Sequence, residues 1–343
     1  MYTIIGGGNR VNYGCIDEPV DFNYRDFALK DFFGREVKGL RKRLSFHAFN
    51  YLGIIADDFL IGIAAVNLGY AQNVFAYLYH YRKGKIFDYS TIEPGWGPLR
   101  FPVNPDEYTI RLEKHGCSLF IAKSHREGEL TIDAAFGGRL AVRGNFPYSL
   151  KSHKPLRVLN PAGPAHWVFT EKCSPIVPSH LTVELDGSPL PLDPKRTALL
   201  YDWSGGYMKR GSSWYWAAFA GLAGEKGKKQ HRVGLNLAAL VNESFYPENA
   251  FWIDGVRTRV SRAIFDFDAA DPMKPWRVFD EDGHIDITFT PMDERAEKIN
   301  AVFVKSNFHQ LMGTFKGTLR PAKGKALRFE GIRGFTELHR SKW

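Results

Sequence analysis

Cysteine is scarce in this chain of 343 residues, and the few that occur are far apart. Cys15, Cys117 and Cys173 are odd in number and have no Cys-x-x-Cys spacing, and no His-Glu-x-x-His string is present. A disulfide framework and the common zinc sites are therefore not expected. The pattern is typical of a reducing compartment, and we expect a cytoplasmic protein that holds no metal ion.

Motifs for phosphate binding and for nucleophilic serine are also missing. The sequence has no Gly-x-x-x-x-Gly-Lys-Ser/Thr loop, no Gly-x-Gly-x-x-Gly after a strand pattern and no Gly-x-Ser-x-Gly elbow. The glycine run at residues 6–8 has neither a following lysine nor a following helix pattern, so we interpret it as a turn. We expect no nucleotide, flavin or other cofactor.

Long hydrophobic runs are absent as well. The start, MYTIIGGGNR, has no basic region before an apolar stretch, and the most apolar window, residues 51–70, contains Asp57 and Asp58. We therefore expect no secretory signal and no transmembrane segment. The net charge is +9, with basic runs at residues 41–43 and 226–232, but no nucleic-acid module accompanies them. We expect no nucleic-acid partner, and an attraction to acidic ligands or anionic surfaces stays open.

What the sequence does have is alternation of apolar and polar residues. In residues 284–290, HIDITFT, every second residue is apolar, which places the apolar side chains on one face of a strand. Asp-Gly pairs at 186–187, 254–255 and 282–283 supply the positive φ angles of tight hairpins. No segment has the pattern of a long capped helix. The sequence predicts an all-β fold with antiparallel connections.

Prolines predict where the chain divides into two domains. Seven prolines fall within residues 160–194, and proline is poorly tolerated inside central strands. We place the boundary near Pro175, which gives an N-terminal β domain of residues 1–174 and a C-terminal β domain of residues 175–343.

Several long strings resemble one protein family. They lie at residues 50–70, 234–255, 265–278, 306–319 and 334–343. In these strings the chain is similar to the family known as domain of unknown function 2804. That family is more distantly similar to lipocalin-like carotenoid hydratases, tocopherol cyclases and fungal Diels–Alderase-type cyclases. The resemblance implies two lipocalin-like antiparallel β-barrel or sandwich domains in tandem, a ligand cavity inside or between them, and non-redox chemistry on apolar molecules.

Tryptophans and one carboxylate are concentrated in a short stretch. Asp202 and Trp203 precede Ser204 and two glycines, and Trp214 and Trp216 follow closely; on a strand these two tryptophans share one face. We predict that Trp203, Trp214 and Trp216 bind a flat apolar ligand, or alternatively plug a core. Asp202 is the candidate acid, because burial among indoles raises a carboxyl pKa; the alternative is an Asx turn before the glycines.

Further polar residues extend this candidate site. Asn236 lies among apolar residues of a predicted strand, so it either faces the cavity or bonds to the backbone, and we assign it to ligand binding together with His309. Glu243 follows that strand and is the second candidate acid, or else a surface charge. Glu337 and His339 share a strand face, which suits a proton relay or the anchoring of the chain end.

These residues support three functional hypotheses. The first is a cofactor-free enzyme that hydrates, isomerises or cyclises an apolar or amphiphilic small molecule by protonating it. The second is a non-catalytic protein that binds a lipid or similar ligand. The third is a carbohydrate-active enzyme that stacks sugars on indoles and uses paired carboxylates. The sequence does not indicate an oligomeric state.

Overall fold

Strands dominate the computed structural model, which describes residues 1–114, 116–224, 229–241, 245–300 and 305–342. Strands make up 63% of it and helices 5%. The prediction of an all-β fold is confirmed. Its physical basis is visible in one long strand, where Ile285, Ile287 and Phe289 are buried while Asp286 and Thr288 between them are partly exposed. In the described part of the chain no helix has the length and apolar character needed to cross a membrane.

Short elements make up the N-terminal segment. They are β1 (Tyr2–Thr3), β2 (Ile5–Gly6), the 3-10 turn Gly7–Asn9, β3 (Arg10–Val11), β4 (Gly14–Cys15), β5 (Val20–Asp21), the 3-10 turn Tyr24–Asp26 and helix α1 (Gly39–Leu44). Apolar side chains of this segment, such as Ile4, Phe22 and Phe27, are buried in the first core. The segment therefore covers part of that core.

The strands that follow form two sheets around this first core. They are β6 (His47–Ile55), β7 (Phe59–Asn67), β8 (Ala71–His80), β9 (Gly84–Pro94), β10 (Glu107–Lys114), β11 (Cys117–Ser124), β12 (Glu129–Phe136), β13 (Leu140–Pro147), helix α2 (Leu150–His153), β14 (Leu156–Gly163), β15 (His166–Ile176), β16 (His180–Leu185), β17 (Ser188–Pro189) and β18 (Ala198–Tyr207). Sheet A has the order β10-β11-β12-β13-β16-β17, and sheet B the order β4-β14-β15-β18-β6-β7-β8-β9. Side chains from both sheets share one hydrophobic core.

The remaining strands form sheet C around a second core. They are β19 (Gly211–Ala223), β20 (His231–Ala239), β21 (Ala250–Ile253), β22 (Val256–Arg259), β23 (Ala263–Asp266), β24 (Trp276–Asp280), β25 (Ile285–Asn300), β26 (Lys305–Leu319) and β27 (Leu327–Lys342). Their order is β22-β21-β20-β19-β27-β26-β25-β24-β23. Phe219, Leu235, Trp276, Phe289 and Phe315 fill the space that this sheet encloses.

Strand pairing changes from the first half to the second between Tyr207 and Gly211. Strand β18 pairs with β15 and β6 in sheet B, whereas β19 pairs with β20 and β27 in sheet C. The predicted domain boundary near Pro175 stays a prediction.

Sheets B and C pack against each other through their outer faces. A third hydrophobic cluster fills this space, with Tyr51, Tyr77 and Leu200 from sheet B and Trp216 and Phe335 from sheet C. The approach is close where β15 meets β20, because a Cβ atom on Gly234 would lie 2.2 Å from the Ser174 carbonyl oxygen. Glycine at this position thus permits the contact on which the inter-sheet space depends.

Candidate functional site

Alternation along β15 places charged residues on both faces of sheet B. On β15, Glu171 points into the first core and Lys172 towards sheet C, and on β18, Trp203 and Asp202 divide in the same way. Because successive side chains of a strand point to opposite faces, β15 contributes to two separate buried polar groups. We call the group that faces sheet C the inter-sheet cluster and the group inside the first core the core network.

Lys172 is the cation of the inter-sheet cluster. It is paired with Asp202 across strands β15 and β18, and its Nζ lies 2.7 Å from Asp202 Oδ2 and 3.9 Å from Glu248 Oε2. Burial lowers the pKa of Lys172, but Asp202 and Glu248 outweigh that effect and the pKa is raised. The lysine is therefore charged at neutral pH, and Asp202 is its counterion.

Trp216 connects the cation to the rest of the cluster. Lys172 Nζ lies 4.5 Å from the centre of the Trp216 ring, within the range of a cation–π contact. The Trp216 indole donates a hydrogen bond of 2.7 Å to Asn236 Oδ1, and Asn236 Nδ2 donates one of 2.6 Å to the Glu248 carbonyl oxygen. These bonds fix the orientation of the ring between the ion pair and the aromatic side chains of the interface.

Glu337 is the second acidic centre of the inter-sheet cluster. It lies on β27 opposite Trp216 of β19 and is buried. Trp214 Nε1 donates a hydrogen bond of 3.2 Å to Glu337 Oε2, and Gln310 Nε2 donates one of 2.8 Å to Oε1. Burial nevertheless raises the pKa of Glu337 to about 7, against lowering effects of Trp214, Gln310 and Lys172. At neutral pH this carboxyl group can both give up and take up a proton.

Gln310 is suited to both charge states of this carboxyl group. Its amide nitrogen donates to Glu337, while its buried Oε1 has no hydrogen-bond partner. A flip of the amide would present Oε1 to the O–H of a protonated Glu337, since the amide offers a donor and an acceptor at similar positions. Gln310 can therefore satisfy Glu337 before and after proton transfer.

Aromatic rings surround the two acidic centres. Trp216 contacts Phe335 and Tyr51 edge-on, with ring centres 4.9 Å and 5.7 Å apart, and the Tyr51 hydroxyl lies 2.7 Å from that of Tyr77. Burial raises the pKa of Tyr51 well above its usual range, so this phenol stays neutral. The inter-sheet cluster thus joins ionisable groups to apolar ring faces, as protonation of an apolar molecule requires.

The structure brings together four of the residues assigned to a site from the sequence. Asp202, Trp214, Trp216 and Asn236 all belong to the inter-sheet cluster. Asp202 lies within strand β18, so the alternative of an Asx turn does not apply.

Two assigned residues are not part of this cluster. Trp203 is buried in the first core, on the face of sheet B opposite Asp202, where it packs on Phe22 and Phe169. The His309 ring pairs with Glu294 at 2.5 Å and is partly exposed. Glu243, the second candidate acid, lies outside the described residues.

Residues that the sequence analysis missed supply much of the chemistry. Lys172 and Glu248 were not singled out, and Glu337 was considered only with His339. A signal for Lys172 existed, because a lysine among the apolar residues of β15 has to find a counterion when it is buried. Its partner could not be identified, because the register between β15 and β18 joins residues thirty positions apart.

The core network is a separate polar group inside the first core. Glu171 accepts hydrogen bonds from Lys123 and Tyr148, and Arg157 pairs with both Glu171 and Asp106. Burial alone would raise the pKa of Glu171, but Lys123, His125 and Arg157 hold it well below its usual range. Burial lowers the pKa of Lys123 to about 8. Two cations thus face two carboxylates.

Asp106, His125 and Glu171 have ligand atoms within 4.8 Å of one another, a spacing that would suit a metal ion. Their oxygens, however, already contact the Lys123 ammonium and the Arg157 guanidinium. A metal ion would have to displace two buried cations from balanced ion pairs, so this donor set does not fit one.

Comparison with known proteins assigns the chain to a family. Residues 18–343 match the family described as "Domain of unknown function (DUF2804)", so the chain belongs to it and the resemblance seen in the sequence is confirmed. No curated protein sequence matches the chain.

Solved structures are similar to the chain at low sequence identity. CghA is 8% identical, with a TM-score of 0.51 over 100% of this chain and 97% of CghA. The AttH protein of Nitrosomonas europaea is 13% identical, with a TM-score of 0.49 over 85% of this chain and 92% of that one. Kievitone hydratase from Nectria haematococca is 10% identical, with a TM-score of 0.42 over 85% and 88%. The likeness to CghA shows a common fold.

Proposed function

We propose that this member of the DUF2804 family is a cofactor-free enzyme that protonates an apolar or amphiphilic small molecule between sheets B and C, and so hydrates, isomerises or cyclises it. The observation that carries the proposal is Glu337, a buried carboxyl group whose pKa is raised to about 7 and which lies beside indole rings. General acids work best when their pKa is close to the working pH.

The reaction we propose begins with proton transfer to a carbon–carbon double bond. The π electrons form a new C–H bond with the Glu337 proton, which leaves a cation on the neighbouring carbon and a carboxylate on Glu337. A water molecule can then add its oxygen to the cation and return a proton to the carboxylate, which is hydration. Loss of a neighbouring C–H proton to the carboxylate is isomerisation, and attack by a second double bond before that loss is cyclisation.

Aromatic faces would stabilise the cation in this sequence. Trp216 already holds the Lys172 ammonium against its ring, which shows that this ring lies where a positive charge can contact it. Each such contact contributes about 1–2 kcal/mol in a site without water. Tyr51 and Phe335 add further rings beside Trp216.

In this proposal the ligand reaches Glu337 from the end of sheet C. A cavity of about 590 Å³ opens there, and its lining is polar, with serines such as Ser306 and with the cations Lys298, Lys305, Arg340 and Lys342. Ser306 Oγ lies 2.8 Å from His339 Nε2, and the His339 and Trp214 rings are 4.1 Å apart. Because Trp214 is only half-buried and bonds to Glu337, a ligand entering from this cavity would meet the indole first and then the carboxyl group.

The alternatives to this function differ in what they need from the cluster. A carbohydrate-active enzyme uses two carboxyls in an open groove, whereas Asp202, Glu248 and Glu337 are all buried, so the geometry offers less to a sugar. A carrier would bind the same apolar molecule without proton transfer. Asp202 is the other candidate for the general acid, and the experiment below distinguishes it from Glu337.

The test measures the transfer of deuterium from the solvent to a carbon atom of the substrate. Prenylated phenols and acyclic isoprenoids are incubated with the protein in deuterium oxide, and mass spectrometry measures carbon-bound deuterium. Glu337→Gln should lower incorporation by about 10²–10⁴-fold, while saturable quenching of tryptophan emission shows that binding persists. Glu330→Gln, at an exposed position of the same strand, is the matched control and should leave incorporation unchanged.

Two outcomes would contradict the proposal. If Asp202→Asn abolishes incorporation and Glu337→Gln does not, the acid is Asp202. If the compounds bind saturably but none gains deuterium, the protein is a carrier for these molecules rather than an enzyme.

A further inference from the structure

A segment near the N-terminus exposes large apolar side chains beside a run of cations. Phe32 is 97% exposed, Phe33 76% and Leu40 66%. The same segment, residues 30–43 (KDFFGREVKGLRKR), holds six basic and two acidic residues, a net charge of +4. We call it the basic-aromatic segment. Single exposed apolar residues are common, but three of them within nine positions of a cationic segment point to a binding surface.

The loop that carries the phenylalanines has a defined conformation. Asp31 Oδ1 accepts hydrogen bonds of 2.9 Å from the backbone N–H groups of Phe33 and Arg35, and Gly34 adopts a positive φ of 79° that closes the turn. At its base, the Val37 N–H donates to the Leu29 carbonyl oxygen at 2.7 Å, and both side chains are buried. The two rings therefore project from an ordered turn instead of folding back onto the protein.

The acidic residues of this segment are already paired within it. Asp31 pairs with Arg35 at 2.9 Å and Glu36 with Lys38 at 3.0 Å. Arg41 and Arg43, on helix α1, are exposed, and neither has an ion pair with any residue that the structure describes. The positive charge of the helix is thus available to an external anion.

We propose that the basic-aromatic segment docks the protein on the surface of an anionic lipid bilayer. Phenylalanine and leucine side chains enter the boundary between headgroups and acyl chains, and arginines attract the anionic headgroups. A nucleic acid would satisfy the arginines but gives no reason for two phenylalanines at the tip of an ordered turn. A second copy of the chain would place one segment of net charge +4 against another, and the two would repel each other. The bilayer is the partner that uses both features at once.

This inference does not depend on the proposed function, although the two are compatible. Apolar molecules partition into bilayers, so a protein held at the membrane surface would meet them there at a higher concentration than in water. The docking surface can exist whether the protein is an enzyme or a carrier.

The test is co-sedimentation of the whole protein with lipid vesicles. One set contains phosphatidylcholine only, and the other equal parts of phosphatidylcholine and phosphatidylglycerol. We expect binding to the anionic set, with weakening as salt is added. Arg41→Gln with Arg43→Gln should lower the partition coefficient about fivefold for each arginine removed. Phe32→Ser with Phe33→Ser should lower it by at least about tenfold.

Matched variants control for general loss of charge or of apolar surface. Trp96→Ser removes an aromatic side chain that is 83% exposed elsewhere, and Lys298→Gln with Lys305→Gln removes two exposed cations of sheet C. Both controls should keep the partition coefficient within about twofold of the wild type, because these residues lie outside the docking surface.

Several results would overturn the proposal. The first is that the protein does not bind anionic vesicles, and the second is that the control variants reduce binding as much as the segment variants do. The third is that the wild type is a dimer and the phenylalanine variant is a monomer. Binding to a DNA or RNA oligonucleotide that the arginine variant abolishes, without vesicle binding, would assign the segment to nucleic acid instead.

Discussion

Replacement of Glu337 by glutamine should change how the stability of the protein depends on pH. Its pKa is raised from 4.5 to about 7 by burial, so the folded protein favours the neutral carboxyl group. For such a group the stabilisation is fully present below pH 4.5 and is lost as the pH rises from there through 7. The loss corresponds to about 3 kcal/mol of the free energy of unfolding, at about 1.4 kcal/mol per pKa unit.

The glutamine variant lacks this ionisation and so keeps its stability over the same range. Relative to the neutral carboxyl group the exchange itself costs little, because Trp214 can donate to the amide oxygen and a flipped Gln310 can accept from the amide nitrogen as it accepts from the carboxyl O–H. We therefore expect Glu337→Gln to be about as stable as the wild type at about pH 4 and below, and more stable by about 3 kcal/mol near pH 8.

The assay is urea unfolding of both proteins at a series of pH values. Other groups titrate in both proteins equally, so the difference between the two curves isolates Glu337. Glu330→Gln, exposed on the same strand, should give a difference that does not vary with pH. Parallel curves for Glu337→Gln and the wild type would show that Glu337 has the same pKa in the folded and unfolded chain, which would refute the reasoning and remove the main support for a general acid.

Three other predictions concern the cluster and the fold. Lys172→Met should lower the free energy of unfolding by about 3–5 kcal/mol in urea titrations, because it leaves the buried Asp202 without a cation, and Asp202→Asn on that background should recover part of the loss. Trp203→Ala should also lower the free energy of unfolding by about 3–5 kcal/mol, since it leaves a cavity in the first core. Trp214→Ala should lower it clearly less, because Trp214 is half-buried, and equal losses would contradict the placement of the two side chains. Far-UV circular dichroism should show a β-dominated spectrum that a strong chelator leaves unchanged, and a helix content above about one third would contradict the fold.

The fold could be predicted from the sequence because its signals are local. Alternation of apolar residues reflects the two faces of a strand, and it holds in residues 285–289 of β25. Two of the three Asp-Gly pairs behave as their chemistry predicts: Asp186 and Asp254 both have positive φ angles, 51° and 48°, at the turns after β16 and β21. In the third pair only the glycine, Gly283, has a positive φ, of 74°. Neither inference needs knowledge of distant residues.

The candidate site was predicted only in part, for two reasons. The first is local: Asp202 and Trp203 are neighbours in sequence and therefore face opposite sides of β18, so they could not belong to one wall. The second is not local. Glu337 contacts Trp214 because β27 pairs with β19, which joins residues 123 positions apart. The register of this pairing cannot be predicted from the periodicity of either strand.

The two buried polar groups differ in their balance of charge, and this difference explains why only one of them offers a titrating acid. In the core network, Lys123 and Arg157 match the two carboxylates. In the inter-sheet cluster, Lys172 is the cation that contacts Asp202 and Glu248, and no described cation forms an ion pair with Glu337.

A histidine near Glu337 in the described part of the chain does not supply charge to it. His339 lies two residues away and contacts Trp214, but burial lowers its pKa to about 4, so it is neutral at pH 7. Three carboxyls near one lysine cannot all ionise at low cost in a space shielded from water, and the one farthest from the cation retains its proton to the highest pH. The shortage of cations that lowers stability at high pH is therefore also what makes Glu337 a proton donor at neutral pH.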